Sequence, residues 1–124
     1  MKRDLDLVRK ILLACEEAPH GRAPAALSIE GRTEEEVGFH VHLIVQAGLM
    51  LGADAKTRGS PSPRAIPLSL TWAGYEFLDA SRDQDRWDKA KAAARSVGGL
   101  TLDALKATLV ELGSAAVKKV LGLP

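Results

Sequence analysis

The sequence predicts a mainly α-helical fold with one small antiparallel β-sheet, and three observations indicate it. Apolar residues recur at steps of three and four in several segments, which is typical of helices with one buried face. Leu49–Leu51 and Ala65–Leu70 flank a stretch rich in Gly, Ser and Pro, a pattern typical of two strands joined by a loop. The 124 residues are 46% hydrophobic and 27% charged, close to the averages of globular domains.

Composition excludes several classes of protein. No apolar run approaches the roughly 18 residues of a membrane helix, and the acidic start at Asp4 and Asp6 does not fit a signal peptide, so we expect a cytoplasmic protein without a membrane partner. The single cysteine, Cys15, excludes an intrachain disulfide and a thiol-rich zinc site. The net charge of +1 means that the field of the whole protein does not by itself drive strong nucleic-acid binding.

The first predicted helix covers Asp4–Glu17, with Asp4 or Asp6 at its N-terminus. Its apolar stripe consists of Leu5, Val8, Ile11, Leu12 and Cys15. Ala18–Gly21 ends this helix, because Pro19 disfavours helical geometry in the residue before it. Leu27–Ile29 then alternates apolar and polar residues, which predicts a short strand.

A capping box predicts the second helix. The hydroxyl of Thr33 can accept from the N–H of Glu36 while the Glu36 carboxylate reaches back. The helix should run to about Ala47, with Gly48 as its stop. In the later strand, Pro67 has no N–H to donate, so that strand should lie at an edge or pair imperfectly.

Three further helices are predicted after the strands. Thr71 caps one that ends near Arg82, another covers about Asp85–Val97, and Thr101 caps the last. The last helix carries a row of leucines that Gly113-Ser114 interrupts: Leu102, Leu105, Leu109 and Leu112. Because this row needs a partner, residues 83–124 should pack on the core, residues 1–82, or on a second chain.

The predicted order is helix, strand, helix, strand, loop, strand, helix, which is that of a winged-helix domain whose wing is the loop. Val37–Leu49, ending in Ala-Gly-Leu, resembles the third helix of winged-helix regulators and its turn into a strand. Leu70–Leu78, which begins Leu-Thr-Trp-Ala-Gly, resembles the helix entry that follows the wing. The resemblance implies a winged-helix core at residues 1–82 with C-terminal helices.

Two stretches resemble a more particular group. Met1–Leu12, with its Met-Lys-Arg-Asp opening, and Phe77–Trp87 are similar to a family of small, functionally uncharacterised bacterial and phage-borne proteins with a predicted winged-helix core. The resemblance spans nearly the whole chain. It implies the fold, and it implies no enzymatic activity, cofactor or substrate.

The second helix is the candidate recognition helix, yet its composition is unusual for reading DNA. It contains no Lys or Arg, and three glutamates at its start would repel phosphates. His42 and Gln46 are the neutral polar side chains that could contact base edges. Phe39 and Leu43 widen its apolar arc beyond one face, so something should cover this flank.

The predicted wing is the better candidate for contacting nucleic acid. Between Gly52 and Leu70 it carries Lys56, Arg58 and Arg64 against one Asp54, a local net charge of +2. Such cations could contact phosphates. Scattered basic residues also simply keep an exposed loop soluble, and both interpretations stay open.

Residues for catalysis or metal binding are not combined in a productive pattern. His40 and His42, two apart on a helix, point about 200° from each other and cannot share an ion. Cys15 falls on an apolar stripe, where a free cysteine behaves as a small hydrophobe. Gly98-Gly99 lacks the Lys-Ser/Thr of a phosphate-binding loop. We expect no enzyme, no cofactor and no metal.

The sequence therefore predicts a DNA-binding or transcription-regulatory protein of winged-helix type, with double-stranded DNA as its partner. Lys56, Arg58 and Arg64 would contact the backbone, and His42 and Gln46 the bases. The alternative is a winged-helix-like interaction or assembly module that binds no nucleic acid. A homodimer is also predicted, held by the leucine row Leu102, Leu105, Leu109 and Leu112 with the flank of Phe39 and Leu43.

Overall fold

A computed structural model of the chain describes residues 1–24, 26–55, 59 and 61–124. The elements are α1 (Leu5–Glu17), α2 (Glu34–Gln46), β1 (Met50–Asp54), β2 (Ala65–Leu70), α3 (Trp72–Ser81), α4 (Gln84–Ser96) and α5 (Leu102–Leu121), with a 3₁₀ turn at Pro19–Gly21. The predicted fold class, mainly helical with one small antiparallel sheet, is confirmed. Within the described residues, no helix has the length and apolar character to cross a membrane. The chain divides into two compact units, residues 1–78 and 79–124.

In the first unit, the predicted stripe of α1 is buried. Leu5, Val8, Ile11, Leu12 and Cys15 are all inside, and so is Leu7, which the stripe did not include. Burying one such aliphatic side chain contributes about 1.5–3 kcal/mol. Helix α2 contacts α1, β1 and β2, and it buries Val37, Val41 and Ile44. Asp4 is the N-cap of α1, and the predicted capping box of Thr33 and Glu36 is complete.

The two strands pair antiparallel with one irregularity. The register joins Met50 to Leu70, Leu51 to Ser69, Gly52 to Pro67, Ala53 to Ile66 and Asp54 to Ala65. Leu68, directly after Pro67, is therefore opposite no residue of β1 in this register. The imperfect pairing predicted for a strand that contains proline is confirmed, since Pro67 supplies no N–H to the ladder.

The strand predicted at Leu27–Ile29 is wrong. This segment has no regular structure, and the sheet of the described residues consists of β1 and β2. Pro67 cannot donate to a third strand, so this edge of β2 lacks one of the N–H groups that such a strand would bond. Among the described residues, the chain between α1 and α2 makes one main-chain hydrogen bond to β2, from Ala23 N–H to Leu68 O at 2.8 Å.

Thr71, which lies between β2 and α3, makes three hydrogen bonds that join the start of α3 to the residues before β1. Its N–H donates to Leu49 O at 3.2 Å, its hydroxyl donates to Gly48 O at 2.6 Å, and the same hydroxyl accepts from Gly74 N–H at 3.1 Å. A Cβ at Gly74 would collide with Leu49 O. The Leu-Thr-Trp-Ala-Gly sequence thus has a physical reason, because α3 begins directly against the main chain that precedes β1.

In the second unit, α4 and α5 pack on each other. Asp83 and Thr101 cap their N-termini, and Gly98 and Gly99, both at positive φ, separate them. Gly113-Ser114, which interrupts the predicted apolar seam, does not end the helix, and α5 continues through it to Leu121. One glycine in a helix costs only about 1 kcal/mol relative to alanine, which the good helix formers around it offset.

Candidate binding groove

A groove of about 380 Å³ opens in the first unit beside α2. One side is the irregular segment 26–29, the floor is α2 at Val37, Gly38 and Val41, and the other side is the stretch 64–67 that includes the start of β2. Leu27 and Ile29 add apolar surface, while three charged side chains also line the groove: Arg32, Glu34 and Arg64. This volume lies within the range of small-ligand pockets, and the mixture of apolar surface and a few charged groups is typical of them. We call it the α2–β2 groove.

Arg64 lies across α2 at Gly38. Its Nη2 atom is 3.3 Å from Oε1 of Glu34, and a Cβ at position 38 would be 3.2 Å from the Cβ of Arg64 and 3.3 Å from its Nε. Glycine at this position therefore makes room for the arginine stem. An isolated glycine within a helical pattern was the signal in the sequence for this contact, since such a glycine usually has a packing reason.

Arg32, which also lines the groove, belongs to a charged network. Its Nη2 is 2.6 Å from Oδ2 of Asp4, and its Nη1 is 3.4 Å from Oε2 of Glu36. Burial alone would raise the pKa of Asp4, but the hydrogen bond and charge of Arg32, with the N–H groups of Leu7 and Asp6, together hold that pKa below its ordinary value of 3.8. The network ties the start of α1 to the start of α2.

His40 is buried under this network with both ring nitrogens occupied. Its Nε2 accepts from Asp4 N–H at 2.9 Å, so the ring carries its proton on Nδ1, which lies 2.8 Å from Glu36 O and donates to it. The sequence interpretation of His40 as a satisfied histidine is confirmed. Across the part of the chain that the structure describes, no group of three or more His, Cys, Asp or Glu is placed to hold a metal ion.

The edge of β2 that faces away from β1 presents main-chain groups to the groove. Arg64 O accepts from Ala55 N–H at 3.0 Å, which places Arg64 in a hydrogen-bonded pair with β1. Because successive residues of an antiparallel strand alternate in direction, the N–H and C=O of Ala65 point away from β1. Ala65 and Pro67 both line the groove.

Comparisons with known proteins place the chain in a family. A family described as "Hypothetical protein (DUF2513)" matches residues 2–101. The chain belongs to the DUF2513 family. An uncharacterized protein of Haemophilus influenzae is 36% identical over 110 residues, which cover 86% of this chain and 90% of that protein. No solved structure matches the chain. The DUF2513 match includes the whole α2–β2 groove and ends one residue before α5 begins.

The structure describes three of the five residues predicted to contact DNA, and these three have separate surroundings in this DUF2513 protein. Lys56 and Arg58 lie outside the described residues. Arg64 is paired with Glu34, half-exposed His42 stacks on Phe39 with ring centroids 6.4 Å apart, and Gln46 is exposed at the end of α2. Gln46 is eight residues beyond Gly38, over which Arg64 lies, so about 12 Å of helix separates the two sites.

The residues predicted to form a dimer interface divide into two groups. Phe39, Leu43, Leu102 and Leu112 are half-buried. Leu105 and Leu109 are 0% and 2% exposed within the single chain, so they belong to its own core. Cys15, interpreted as a core residue, is buried, and burial raises the pKa of its thiol to about 11. That interpretation is confirmed.

Proposed function

We propose that the first unit is a winged-helix-like interaction module that binds an extended, acidic segment of a partner protein in the α2–β2 groove, without catalysing a reaction. The observation that carries the proposal is the groove itself, which combines apolar walls, two arginines and an open strand edge. The order of α1, α2, β1, β2 and α3, with the loop between the strands, supports the winged-helix description.

The arginines favour a partner that carries a carboxylate. Arg64 pairs only with Glu34 among the described residues, and the Glu34 side chain is 84% exposed. An exposed pair of this kind contributes at most about 1 kcal/mol, so exchanging Glu34 for a carboxylate of the partner costs little. Arg32 donates to Asp4 and Glu36 but has further N–H groups, because a guanidinium carries five.

The main chain favours an extended partner. The outward N–H and C=O of Ala65 can bond a strand laid along β2, which is a common mode of peptide recognition. Side chains of such a strand alternate between two faces, so apolar residues could contact Leu27, Ile29 and Val41 while acidic residues reach the arginines. Pro67 ends the usable edge because it has no N–H.

The surroundings of α2 disfavour phosphate. Glu34, Glu35 and Glu36 form its first turn, and the Ser62 hydroxyl donates to Glu35 at 2.6 Å. The end of the loop is thus bound to the acidic end of the helix. A duplex brought to Arg64 would bring a row of phosphates to these carboxylates, whereas the proposed exchange replaces one carboxylate, that of Glu34, by one carboxylate of the partner.

The test is a titration of the ¹⁵N-labelled full chain with two blocked peptides. Acetyl-Val-Glu-Val-Glu-amide should shift the amide signals of Gly38, Ala65 and Ile66, with a dissociation constant of about 0.1–1 mM for so small a ligand. Acetyl-Val-Lys-Val-Lys-amide is the matched control and should leave these signals in place.

Arg64→Gln should weaken binding of the acidic peptide by about fivefold, which corresponds to about 1 kcal/mol. Arg95→Gln, a change at an exposed arginine of α4, is the matched control and should bind like the wild type. Equal shifts with both peptides, or unchanged affinity of Arg64→Gln, would refute the groove as the site.

A DNA-binding function is the second candidate. The loop between β1 and β2 carries Lys56 and Arg58 in addition to Arg64, and Gln46 presents an exposed amide on α2. This candidate uses the loop rather than the groove. Replacing Lys56 and Arg58 therefore separates the two, because it changes the loop and leaves Arg32, Arg64 and Ala65 of the groove in place.

A further inference from the structure

Helix α5 is longer than the helix on which it packs. It has 20 residues and α4 has 13. The buried positions of α5 end at Leu109, and the part after it is exposed or half-exposed. Several apolar residues nevertheless occur there, among them Val110, Val117, Val120 and Leu121, and Val120 is 86% exposed.

Part of this apolar surface forms one stripe. At 100° per residue, Val110, Ser114, Val117 and Leu121 lie within about 60° of one another around the helix. Their spacing of four, three and four residues is that of a seam between two helices. Leu109 lies about 100° away from Val110, so the stripe is distinct from the face that packs within the chain.

The charges beside the stripe are self-complementary. Glu111 and Lys118 are seven residues apart and therefore flank the stripe on the same side. If two copies of α5 pair antiparallel, with Val110 opposite the partner's Leu121 and Ser114 opposite the partner's Val117, each Glu111 lies beside the partner's Lys118. A two-fold axis produces this ion pair twice. In a parallel pairing, each residue of α5 would instead lie level with the same residue of the partner helix, so Glu111 would not lie beside the partner's Lys118.

We infer that the C-terminal half of α5 is a self-association surface on which a second copy of this chain binds antiparallel, through Val110, Ser114, Val117 and Leu121. The surface differs from the leucine row, whose Leu105 and Leu109 the chain buries itself. It involves only about three turns of helix, so the dimer is small by the standards of protein interfaces and its population depends on concentration. The inference does not depend on the α2–β2 groove, which lies in the other unit.

Sedimentation equilibrium of the full chain at about 5–500 μM tests the surface, over a range suited to a weak dimer. The mass of the wild type should rise with concentration from 13.2 kDa toward twice that value. Val117→Glu should stay at 13.2 kDa and keep the helical circular dichroism of the wild type, because Val117 is 57% exposed and the chain does not need it to fold. Val97→Glu, at an exposed valine outside α5, is the matched control and should associate like the wild type.

A charge exchange tests the antiparallel arrangement. Glu111→Lys and Lys118→Glu should each weaken association several-fold, since each creates two like-charge pairs across the axis. The double exchange should restore it, because it reverses both pairs. A wild type that stays monomeric over the whole range, or a Val117→Glu variant that associates normally, would overturn the surface. Failure of the double exchange to restore association would overturn the antiparallel arrangement.

Discussion

The Nε2 atom of His40 accepts a hydrogen bond from the main-chain N–H of Asp4 at 2.9 Å. This bond joins the residue that caps α1 to the middle of α2, 36 positions along the chain. The Nδ1 atom of His40 donates to the main-chain carbonyl of Glu36. Because both ring nitrogens have main-chain partners, the ring has a structural role that links the start of α1 to α2.

Replacing this histidine should destabilise the fold. His40→Ala leaves a cavity and an unpaired N–H at Asp4, while the Glu36 carbonyl keeps its helical partner, the N–H of residue 40; the free energy of unfolding should fall by about 2–4 kcal/mol. His42→Ala, at the half-exposed neighbour, should cost under about 1 kcal/mol. Urea denaturation followed by circular dichroism measures both. Equal losses in the two variants would contradict the structural role of His40.

The ion pair of Asp4 and Arg32 should make stability depend on acid pH. Because the pKa of Asp4 is lower in the folded chain than its ordinary value of 3.8, the ionised carboxylate stabilises the fold fully above that value. This contribution is lost as the pH falls through the lower, folded pKa. Asp4→Asn keeps an N-cap side chain but removes the charge, so its free energy of unfolding should fall less than that of the wild type between about pH 4 and pH 2.

Glu17→Gln, at the exposed last residue of α1, is the matched control for the loss of one negative charge. Chemical denaturation at several pH values measures all three proteins. The same acid dependence in Asp4→Asn and the wild type would show that this pair does not contribute.

The contact between Gly74 and Leu49 predicts that alanine at position 74 destabilises the fold, although alanine favours helices more than glycine does. Gly74→Ala improves helix propensity but places a Cβ against Leu49 O, so we expect a loss of about 2–4 kcal/mol in the free energy of unfolding. Ala73→Gly, at the exposed neighbour, is the matched control and should cost only about 1 kcal/mol through propensity. Thermal unfolding ranks the two variants, and a milder effect of Gly74→Ala would show that α3 can move away from Leu49.

The thiol of Cys15 should be unreactive in the folded chain. Burial excludes reagents and raises the pKa of the thiol to about 11, so little thiolate forms at pH 8. Ellman's reagent should react slowly with the native protein. It should react at once in about 6 M guanidinium, which exceeds the unfolding midpoint of about 5 M that defines hyperstable proteins. Fast reaction of the native protein would mean that α1 opens readily.

Binding of a duplex should be weak, salt-sensitive and dependent on the loop. Replacing Lys56, Arg58 and Arg64 together by Ala should reduce affinity for a mixed-sequence duplex and flatten the salt dependence, because up to three phosphate contacts are removed. Lys56→Ala with Arg58→Ala should have most of this effect and leave binding of the acidic peptide unchanged. Fluorescence anisotropy at two salt concentrations measures both, with Arg95→Ala and Lys119→Ala together, at two exposed residues, as the control for lost charge. A triple variant that binds like the wild type would exclude the loop.

Sequence patterns determined the parts of this protein that depend on neighbouring residues. The stripe of α1, the capping box of Thr33 with Glu36 and the cap at Thr101 follow from contacts within one or two helical turns, and all three are present. Pro67 likewise predicted an irregular strand, because a residue without an N–H removes one hydrogen bond from the ladder of any sheet. The strand predicted at Leu27–Ile29 shows the limit of local signals, since this alternation of apolar and polar residues occurs in a segment without regular structure.

Tertiary structure alone decided which distant residues meet. Glu34 and Arg64 are 30 positions apart, as are many equally suitable acids and bases, and nothing local selects this pair. The segment Leu27–Ile29 forms no strand although its alternation favours one, and the α2–β2 groove lies between this segment and β2. The physical reason is that local preferences amount to fractions of a kcal/mol per residue, whereas long-range packing determines which surfaces are covered and which remain free to bind.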